Sequence, residues 1–362
     1  MLRDQQLLNE ADIILPTGET VRFSLHGQEL NADTARCYVV KDAGDDPDVT
    51  NGAEIHAELT FKEASGNETV VIRGGTGIGR ITKPGLALPP GEWAINPIPR
   101  KMIAEVVNEV FSLHCPLLIA HCAPLVPHVT ISIPNGEELA QKTLNARLGI
   151  TGGLSILGTT GIVKPISSLA WTETINAAVD VAVACGCKTL VLSTGRTSEM
   201  AAQKHLAAEA ELPIAPCRKL DEKPHKKILS RLSEEAFVMM GDHVGYALRA
   251  CERKGIRNVV LAAQFAKLLK IACGHEQTHV SSSQLDLCSL RDWLGASLRT
   301  SRFVPCVEKA NTAREILEAS GRSKELIALV GTRAVNFAAQ VAPRLRVKVL
   351  LAGYTGEVLY FR

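Results

Sequence analysis

Carboxylates are concentrated in one short segment that follows a predicted strand. The segment runs from Lys41 to Asp48 and carries Asp45, Asp46 and Asp48 close to the lysine. Clustered carboxylates repel one another, so their pKa values spread, and one of them could act as a general base or bind an ammonium-like group. Asp, Gly and Pro are also typical of a solvated turn. The segment lacks the spacing of a calcium-binding EF-hand, so a chemical role and a turn role both stay open.

Two glycine clusters could bring backbone close to a ligand. Gly74 and Gly79 nearly fit a phosphate-binding P-loop, but Arg80 replaces its lysine and Ile81 replaces its magnesium-binding hydroxyl. The second cluster, residues 149–161, has threonine in place of that lysine. The first cluster also fails the Gly-x-Gly-x-x-Gly pattern, so we exclude an NTPase and a dinucleotide dehydrogenase. Each cluster leads into a Lys-Pro pair, which favours ligand contact over the alternative of plain tight turns.

Histidine pairs give only weak signals for a metal site. His114 and His121 each precede a cysteine, but they lie in an apolar stretch broken by prolines, which favours packing. His275 and His279 are four residues apart, a spacing that can put two imidazoles on one face of a helix. A third ligand is not evident, so we expect no bound metal. His275 remains a candidate for a polar or catalytic role.

The loops after two predicted strands of the second half are candidates for ligand binding. Residues 193–199 follow one strand and begin a helix, and residues 241–243 occupy the same place after the next strand. In open α/β sheets, ligands bind beyond the carboxyl ends of the strands. Gly195 permits close backbone approach, the helix N-terminus supplies N–H groups, and an acidic residue such as Asp242 can bind ribose hydroxyls. A structural loop is the alternative.

The elements that must hold these residues differ between the two halves of the chain. The first half indicates strands and glycine-rich loops with few helices, and residues 53–61 alternate with period two. The second half alternates short apolar strands with helices, which predicts a parallel, doubly wound sheet covered on both faces. We therefore predict an α+β domain over residues 1–167 and an α/β domain over residues 168–362. The predicted strands of the second domain are 188–193, 236–240, 258–263, 326–330 and 347–352.

Composition excludes several classes of protein. The chain has 362 residues, 46% hydrophobic and 22% charged, as expected of a folded globular protein. A net charge of +2 and an aromatic content of 4% predict no nucleic-acid binding. The ten cysteines contain no Cys-x-x-Cys pair and the N-terminus starts no signal peptide, so a reducing cytoplasm is expected. The longest apolar stretch, residues 115–133, is broken by prolines and histidines, which argues against a membrane span.

Six strings, in this order, carry a resemblance to a known family. They are VKDAGDDPDVTNGAE at 40–54, GGTGIGRITKPGL at 74–86, AINPIPRKM at 94–102, GGLSILGTTGIVKP at 152–165, STGRTSE at 193–199 and AKLLKIACGHEQTH at 266–279. Over residues 37–355 the chain resembles the CbiD family, the cobalt-precorrin-5B C1-methyltransferases of anaerobic cobalamin biosynthesis. Six long strings are far more specific than any single motif above.

The resemblance implies a reaction and a fold. The reaction is transfer of a methyl group from S-adenosylmethionine to carbon C1 of a cobalt-containing tetrapyrrole, which gives cobalt-precorrin-6A. Cobalt arrives with this small-molecule substrate, so no protein-bound metal is required. The implied fold has two domains with a Rossmann-like C-terminal part, consistent with the division drawn above. Neither nucleic acid nor a membrane is an expected partner, and the oligomeric state, a homo-oligomer included, stays open.

The resemblance also divides the candidate residues among roles. The cofactor is expected near Thr194, Gly195, Arg196, Glu199, Gly241 and Asp242. The macrocycle is expected at the first domain, where cations would bind its carboxylates and glycine-rich loops would approach its ring: Gly75, Gly77, Arg80, Lys83, Arg100, Lys101, Thr159, Thr160 and Lys164. The candidate bases are Asp45, Asp46, Asp48 and His275. Because the reaction is a displacement at a sulfonium methyl, positioning should supply much of the catalysis.

The resemblance does not extend to the N-terminus. Family members usually begin with a Leu-Arg-x-Gly-Tyr-Thr-Thr-Gly string and an Ala-rich helix, whereas Leu2 and Arg3 are followed here by Asp4 and soon by a strand at Ile13. We expect either a truncated start or a member that has lost this element. The alternative function is therefore a tetrapyrrole carrier or scaffold without activity, which would bind tetrapyrrole but not S-adenosylmethionine.

Overall fold

The computed structural model of the chain contains two compact units, unit 1 (Met1–Ser167) and unit 2 (Ser168–Arg362). The residues that the structure describes are 1–2, 4–46, 48–63, 69–112, 125–157, 168–206, 232–296 and 300–362. Each unit has its own sheet and its own hydrophobic core. The α/β class predicted from the sequence is confirmed.

Unit 1 is built mainly of strands, in keeping with its period-two patterns. Its elements are β1 (Glu10–Ile14), β2 (Thr20–Ser24), β3 (His26–Leu30), β4 (Thr34–Val40), β5 (Glu54–Glu63), β6 (Val71–Gly74), β7 (Arg80–Ile81), α1 (Pro97–Ser112), β8 (Leu125–Ser132), α2 (Gly136–Ala140) and β9 (Ile150–Thr151). Five strands form a sheet in the order β3-β4-β5-β8-β6, in which only β6 and β8 pair in parallel. Strands β1 and β2 form a hairpin, and β7 pairs with β9.

One face of the unit 1 sheet packs on helix α1. Val129 and Ile131 of β8 cluster with Val107 and Phe111 of the helix. Phe61 of β5 meets Phe111 edge to face, with ring centroids 5.1 Å apart. Because successive side chains of a strand point to opposite faces, the other face of the sheet carries the polar residues.

Three glycines of unit 1 meet backbone to backbone. Gly77 has a φ of +72°, and a Cβ atom there would lie 1.9 Å from the carbonyl oxygen of Ile133. A Cβ atom on Gly136 or Gly153 would lie 2.3 or 2.2 Å from the carbonyl oxygen of Gly77. The Leu154 N–H donates to that same oxygen at 2.9 Å. Close packing of these backbone segments on one another therefore explains why glycine is needed at these positions.

Unit 2 contains a largely parallel sheet with the order β11-β10-β12-β13-β14. Its elements are α3 (Ser168–Ala184), β10 (Thr189–Ser193), α4 (Arg196–Leu206), β11 (Phe237–Met239), α5 (Val244–Arg253), β12 (Asn258–Ala263), α6 (Phe265–Ala272), α7 (Leu287–Gly295), α8 (Val304–Glu308), α9 (Ala313–Ala319), α10 (Lys324–Val341), β13 (Arg346–Ala352) and β14 (Val358–Phe361). Only β14 runs antiparallel to its neighbour.

Helices cover the sheet of unit 2. Helix α4 packs across the strands, whereas α3, α5, α6 and α10 pack against one another, as expected if right-handed crossovers place them on the opposite face. Leu190, Leu192, Leu261 and Phe265 are completely buried between these layers. Burial of each such side chain contributes about 1.5–3 kcal/mol. Among the helices within the described ranges, none combines the length and the apolar character needed to cross a bilayer.

The predicted strand at residues 326–330 is wrong, because this segment lies within helix α10. Ser323 precedes the helix, and its side chain accepts a hydrogen bond from the Leu326 N–H. Buried positions continue at helical spacing through Ala334 and Ala338. A five-residue apolar run fits either a strand or a buried helix, so the run alone could not distinguish them.

Candidate functional site

The winding direction of the unit 2 sheet changes between β10 and β12. The chain leaves β10 toward β11 on one side and leaves β12 toward β13 on the other. Ligands bind at such a switch point in doubly wound sheets. The loop after β10 lies here, since β10 ends at Ser193 and α4 begins at Arg196. The Thr194 N–H donates to the carbonyl oxygen of Ala262 on β12 at 3.1 Å, which ties the loop to both strands.

Polar groups at the start of α4 range from exposed to fully buried. Gly195 is half-buried, Arg196 is exposed, and Glu199 is buried. Ser193 is completely buried, and its Oγ has no hydrogen-bond partner within the described part of the chain. A buried hydroxyl without a partner is unfavourable, so Ser193 could donate to or accept from a ligand at the switch point.

The second candidate loop of unit 2 lies beside the first. The Met240 N–H, after β11, donates to the carbonyl oxygen of Ser193 at the end of β10, at 2.9 Å. Gly241 follows with a φ of +56°, which glycine adopts readily, and Asp242 comes next. The structure thus brings residues 194–199 and 241–242 to the same edge of the sheet.

Asp242 is held by two residues that the sequence analysis did not single out. Its Oδ1 accepts hydrogen bonds from Lys267 Nζ of α6 and from Thr278 Oγ1 (2.5 Å). Burial by itself raises the pKa of Asp242, but the hydrogen bonds from Lys267 and Thr278 and the lysine charge outweigh it, so its pKa lies below its ordinary value. The carboxylate is ionised at neutral pH. No hydrogen bond from the described residues reaches Oδ2, which can therefore accept one from a ligand hydroxyl.

A buried lysine fixes the segment that contributes Thr278. Lys270 Nζ donates to the carbonyl oxygens of Thr278 (3.0 Å) and Ser283 (2.8 Å). Lys267 Nζ also donates to the Thr278 carbonyl oxygen at 3.1 Å. Two lysines three residues apart in an otherwise apolar helix were the sequence signal for this network, because lysine is rarely buried unless it is paired.

An aromatic residue borders the loop after β11. The indole of Trp171, in the first turns of α3, stacks on the ring of His243 with centroids 6.3 Å apart and planes at 27°. Trp171 is 41% exposed. His243 also contacts Gln277, whose Nε2 lies 2.8 Å from His243 Nδ1. Trp171 gave no spacing signal in the sequence, because its partner lies in a distant loop.

His275 and His279 do not share a helical face, although their spacing would allow it within a helix. Helix α6 ends at Ala272, and Gly274 adopts a φ of +91°, which turns the chain out of the helix. His279 Nδ1 instead lies 2.7 Å from Ser281 Oγ. The structure positions no three His, Cys, Asp or Glu side chains as a metal site in the ranges it describes.

A cavity of about 690 Å³ lies beside edge strand β6 in unit 1. This volume is in the usual range of small-molecule sites. The described part of its charged lining comprises four cations and one carboxylate: Arg73, Arg80, Arg100, Lys101 and Glu92. The structure therefore gathers three of the predicted substrate-binding cations and adds Arg73, which the sequence analysis did not single out.

Protein groups fix two arginines of the cavity. The Arg80 guanidinium lies over the Trp93 ring, 3.6 Å from its centroid. Arg100 Nε donates to the carbonyl oxygen of Ile95 at 2.8 Å. Its Nη2 donates to the carbonyl oxygen of Trp93 at 3.2 Å and to Glu92 Oε2 at 3.1 Å. The cavity thus presents oriented positive charge, which suits an anionic ligand.

The remaining predicted contacts of unit 1 lie elsewhere. Lys83 packs its side chain on Gly149, and its Nζ donates to the carbonyl oxygen of Arg147 at 3.4 Å. Gly75 and Gly77 lie in the loop after β6. Three predicted contacts fall outside the described residues: Thr159, Thr160 and Lys164.

The predicted carboxylate cluster forms a turn around Asp48. This residue pairs with Lys41 Nζ through Oδ2, and its Oδ1 accepts from the Thr50 N–H (2.8 Å) and Oγ1 (2.7 Å). Burial alone raises the pKa of Asp48, but the hydrogen bonds from Lys41 and Thr50 and the lysine charge bring it below its ordinary value. Asp45 is exposed, and Asp46 is half-buried in the same turn.

Comparison with known proteins gives consistent matches. The family model named CbiD matches residues 1–165. The chain is 58% identical to the cobalt-precorrin-5B C(1)-methyltransferase of Geotalea daltonii, covering 100% of this chain and 93% of that protein. It is 59% identical to the protein of the same name from Geobacter sulfurreducens, with the same coverage. The protein of that name from Geobacillus thermodenitrificans is 43% identical over 86% of this chain.

A solved structure also matches in part. It is the crystal structure of a cobalamin biosynthesis protein (cbiD) from Archaeoglobus fulgidus, at 23% sequence identity and a TM-score of 0.34. The match covers 76% of this chain and 74% of that chain.

Proposed function

The chain belongs to the CbiD family, and from this premise we propose that it transfers a methyl group to carbon C1 of cobalt-precorrin-5B. The observation that carries the proposal is 58% identity over the whole chain to a protein named for this activity. The chain is thus a methyltransferase, and its product is cobalt-precorrin-6A. The proposal places the reaction in the reducing cytoplasm, the compartment expected from the cysteine pattern.

S-adenosylmethionine is the proposed methyl donor, and when bound it supplies a methyl group on a positively charged sulfonium. Asp242 offers an ionised carboxylate whose Oδ2 can accept from ribose hydroxyls. The buried Ser193 hydroxyl offers a further polar contact at the switch point. The residues proposed to hold the donor are Thr194, Gly195, Arg196, Glu199, Gly241 and Asp242.

The macrocycle is proposed to bind at unit 1. The excess of cations around the cavity beside β6 supports this assignment, because the tetrapyrrole carries several carboxylate side chains and arginine can bind a carboxylate with two parallel hydrogen bonds. The proposed contacts are Gly75, Gly77, Arg80, Lys83, Arg100, Lys101, Thr159, Thr160 and Lys164.

Catalysis in this proposal is mainly positioning of the reacting carbon, the methyl group and the sulfur in line. A base can remove a macrocycle proton as the nucleophilic carbon forms. The candidates remain Asp45, Asp46, Asp48 and His275. Asp48 is a poor base, because Lys41 and Thr50 stabilise its ionised form.

The test is an anaerobic incubation of the chain with cobalt-precorrin-5B and methyl-labelled S-adenosylmethionine, analysed by mass spectrometry. We expect the tetrapyrrole to gain one labelled methyl group. The Geobacter sulfurreducens relative, run in parallel, controls for substrate quality. If that relative gives product while this chain binds tetrapyrrole and transfers no methyl group, the chain is a carrier and the proposal is wrong.

A further inference from the structure

The cationic side chains around the unit 1 cavity outnumber the carboxylates that the described residues place beside them. Of the described residues, four cationic side chains and one carboxylate, Glu92, line it. Glu92 pairs with Arg100 at 3.1 Å, and Lys101 pairs with Glu105, outside the lining, at 3.6 Å. Within the described part of the chain, the two other arginines of the lining have no carboxylate partner.

Arg100 has most of its hydrogen-bonding capacity committed to the protein. Its Nε and Nη2 reach two backbone carbonyl oxygens and Glu92, so of its three nitrogens only Nη1 is open. Its charge is also neutralised by Glu92. Arg100 therefore holds the turn from Glu92 to Ile95 in place, and it is a poor candidate for a ligand contact.

Arg80 is oriented by the protein but retains open donors. Its Nη1 donates to the carbonyl oxygen of Gly91 at 2.6 Å, and its guanidinium stacks on Trp93. Trp93 is fixed in turn by Gly74, where an added Cβ atom would lie 2.5 Å from Trp93 Cε3. An arginine has five N–H donors, so most of those on Arg80 remain available, and stacking on a ring leaves its in-plane donors accessible.

Arg73 is the least committed cation of the lining. It lies on β6, the edge strand of the sheet, and its side chain is exposed. Its backbone pairs with β8 in the sheet, but none of the described residues forms a hydrogen bond or an ion pair with its guanidinium group. No strand among the described residues pairs with the outer side of β6, so a ligand in the cavity can approach Arg73 from that side.

We infer that this cavity is a carboxylate-binding subsite in which Arg73 and Arg80, rather than Arg100, bind carboxylate side chains of the tetrapyrrole. The inference rests on the proposed function for the identity of the ligand. It adds Arg73 to the proposed macrocycle contacts and withdraws Arg100 from them, because Arg100 has a structural role. The class of ligand follows from the chemistry, since open guanidinium groups bind carboxylates with two parallel hydrogen bonds.

The test compares Arg73→Gln and Arg80→Gln with the control Arg36→Gln. Arg36 is an exposed arginine on the same face of the same sheet, opposite Glu58, and it does not line the cavity. Anaerobic absorbance titration without the methyl donor measures affinity for cobalt-precorrin-5B. Each cavity variant should bind about tenfold more weakly, the effect of losing a charge-assisted hydrogen bond, while Arg36→Gln should bind as the wild type does.

Two further measurements separate binding from folding and from catalysis. Arg73→Lys should recover part of the affinity, and affinity for S-adenosylmethionine should be unchanged in both cavity variants. Wild-type methyl transfer together with full affinity in Arg73→Gln would overturn the subsite and leave the proposed function intact.

A carboxylated porphyrin serves as a second probe of the same variants. If the wild type transfers no methyl group but binds this porphyrin in a manner that depends on Arg73, the proposed function fails and the subsite stands. If the wild type binds neither the porphyrin nor cobalt-precorrin-5B, the subsite is wrong.

Discussion

At the scale of single residues, Asp242 and Lys267 stabilise each other because each balances the other's charge in a half-buried position. Asp242→Asn keeps the shape but removes the charge, so we expect the free energy of unfolding at neutral pH to fall by about 1 kcal/mol. Urea denaturation measures this. Asp292→Asn is the control, because Asp292 pairs with Arg291 in an exposed position, and its effect should stay within about 0.5 kcal/mol.

The Asp242–Lys267 pair also predicts how the free energy of unfolding changes with pH. The pKa of Asp242 is lower in the folded protein than in the unfolded chain, so its stabilisation is complete above the unfolded pKa and is lost as pH falls through the folded pKa. The difference in unfolding free energy between the wild type and Asp242→Asn should therefore shrink below about pH 4. A difference of the same size at pH 3 and pH 7 would contradict this account.

Arg100 provides a second test at the residue scale. Arg100→Lys keeps the charge but cannot reach the carbonyl oxygens of Ile95 and Trp93 together with Glu92. We expect it to lower the free energy of unfolding by about 1–2 kcal/mol, as measured by thermal or urea denaturation. The neighbouring exchange Lys101→Arg, at a side chain that is 77% exposed, should change stability by less than about 0.5 kcal/mol. Equal effects of the two exchanges would argue against a structural role for Arg100.

At the scale of elements, the close contact of Gly77 with Gly136 and Gly153 determines how the loops after β6, β8 and β9 pack. Gly77→Ala places a Cβ atom against the Ile133 carbonyl oxygen and also requires a left-handed alanine. We expect a loss of about 3 kcal/mol or more in the free energy of unfolding. Gly52→Ala is the matched control, since Gly52 has a φ of +76° with open space around it. It should lose only about 1 kcal/mol, and a loss as large as that of Gly77→Ala would show that strain, not contact, dominates.

At the scale of the whole molecule, each unit has a core of its own. We therefore expect a fragment of residues 168–362 to fold alone, with cooperative thermal unfolding by circular dichroism. A fragment of residues 188–362 is the control, because it lacks α3 and with it Ile175 and Val179, which are both completely buried. This shorter fragment should unfold at a lower temperature or fail to fold. Equal stability of the two fragments would show that α3 is not part of the core.

The sequence by itself determined the class of each half of the chain and its family. Strand β12 has the predicted bounds, Asn258–Ala263, because a buried parallel strand is a continuous apolar run between polar ends. The six strings that carry the family resemblance are likewise continuous segments, so they can be recognised without the structure. A local pattern predicts a helix or a strand correctly where the order of polar and apolar neighbours fits only one of the two. It failed at residues 326–330, because a short apolar run fits both a strand and a buried helix.

Only the tertiary structure decided which side chains share a site. Lys267 and Thr278 reach Asp242 from 25 and 36 residues away, and the cavity of unit 1 joins Arg73 on a strand to Arg100 on a helix. No spacing in the sequence encodes such meetings, because they depend on strand order and on which face each side chain occupies. The ionisation of Asp242 and the open donors of Arg73 and Arg80 are consequences of that packing.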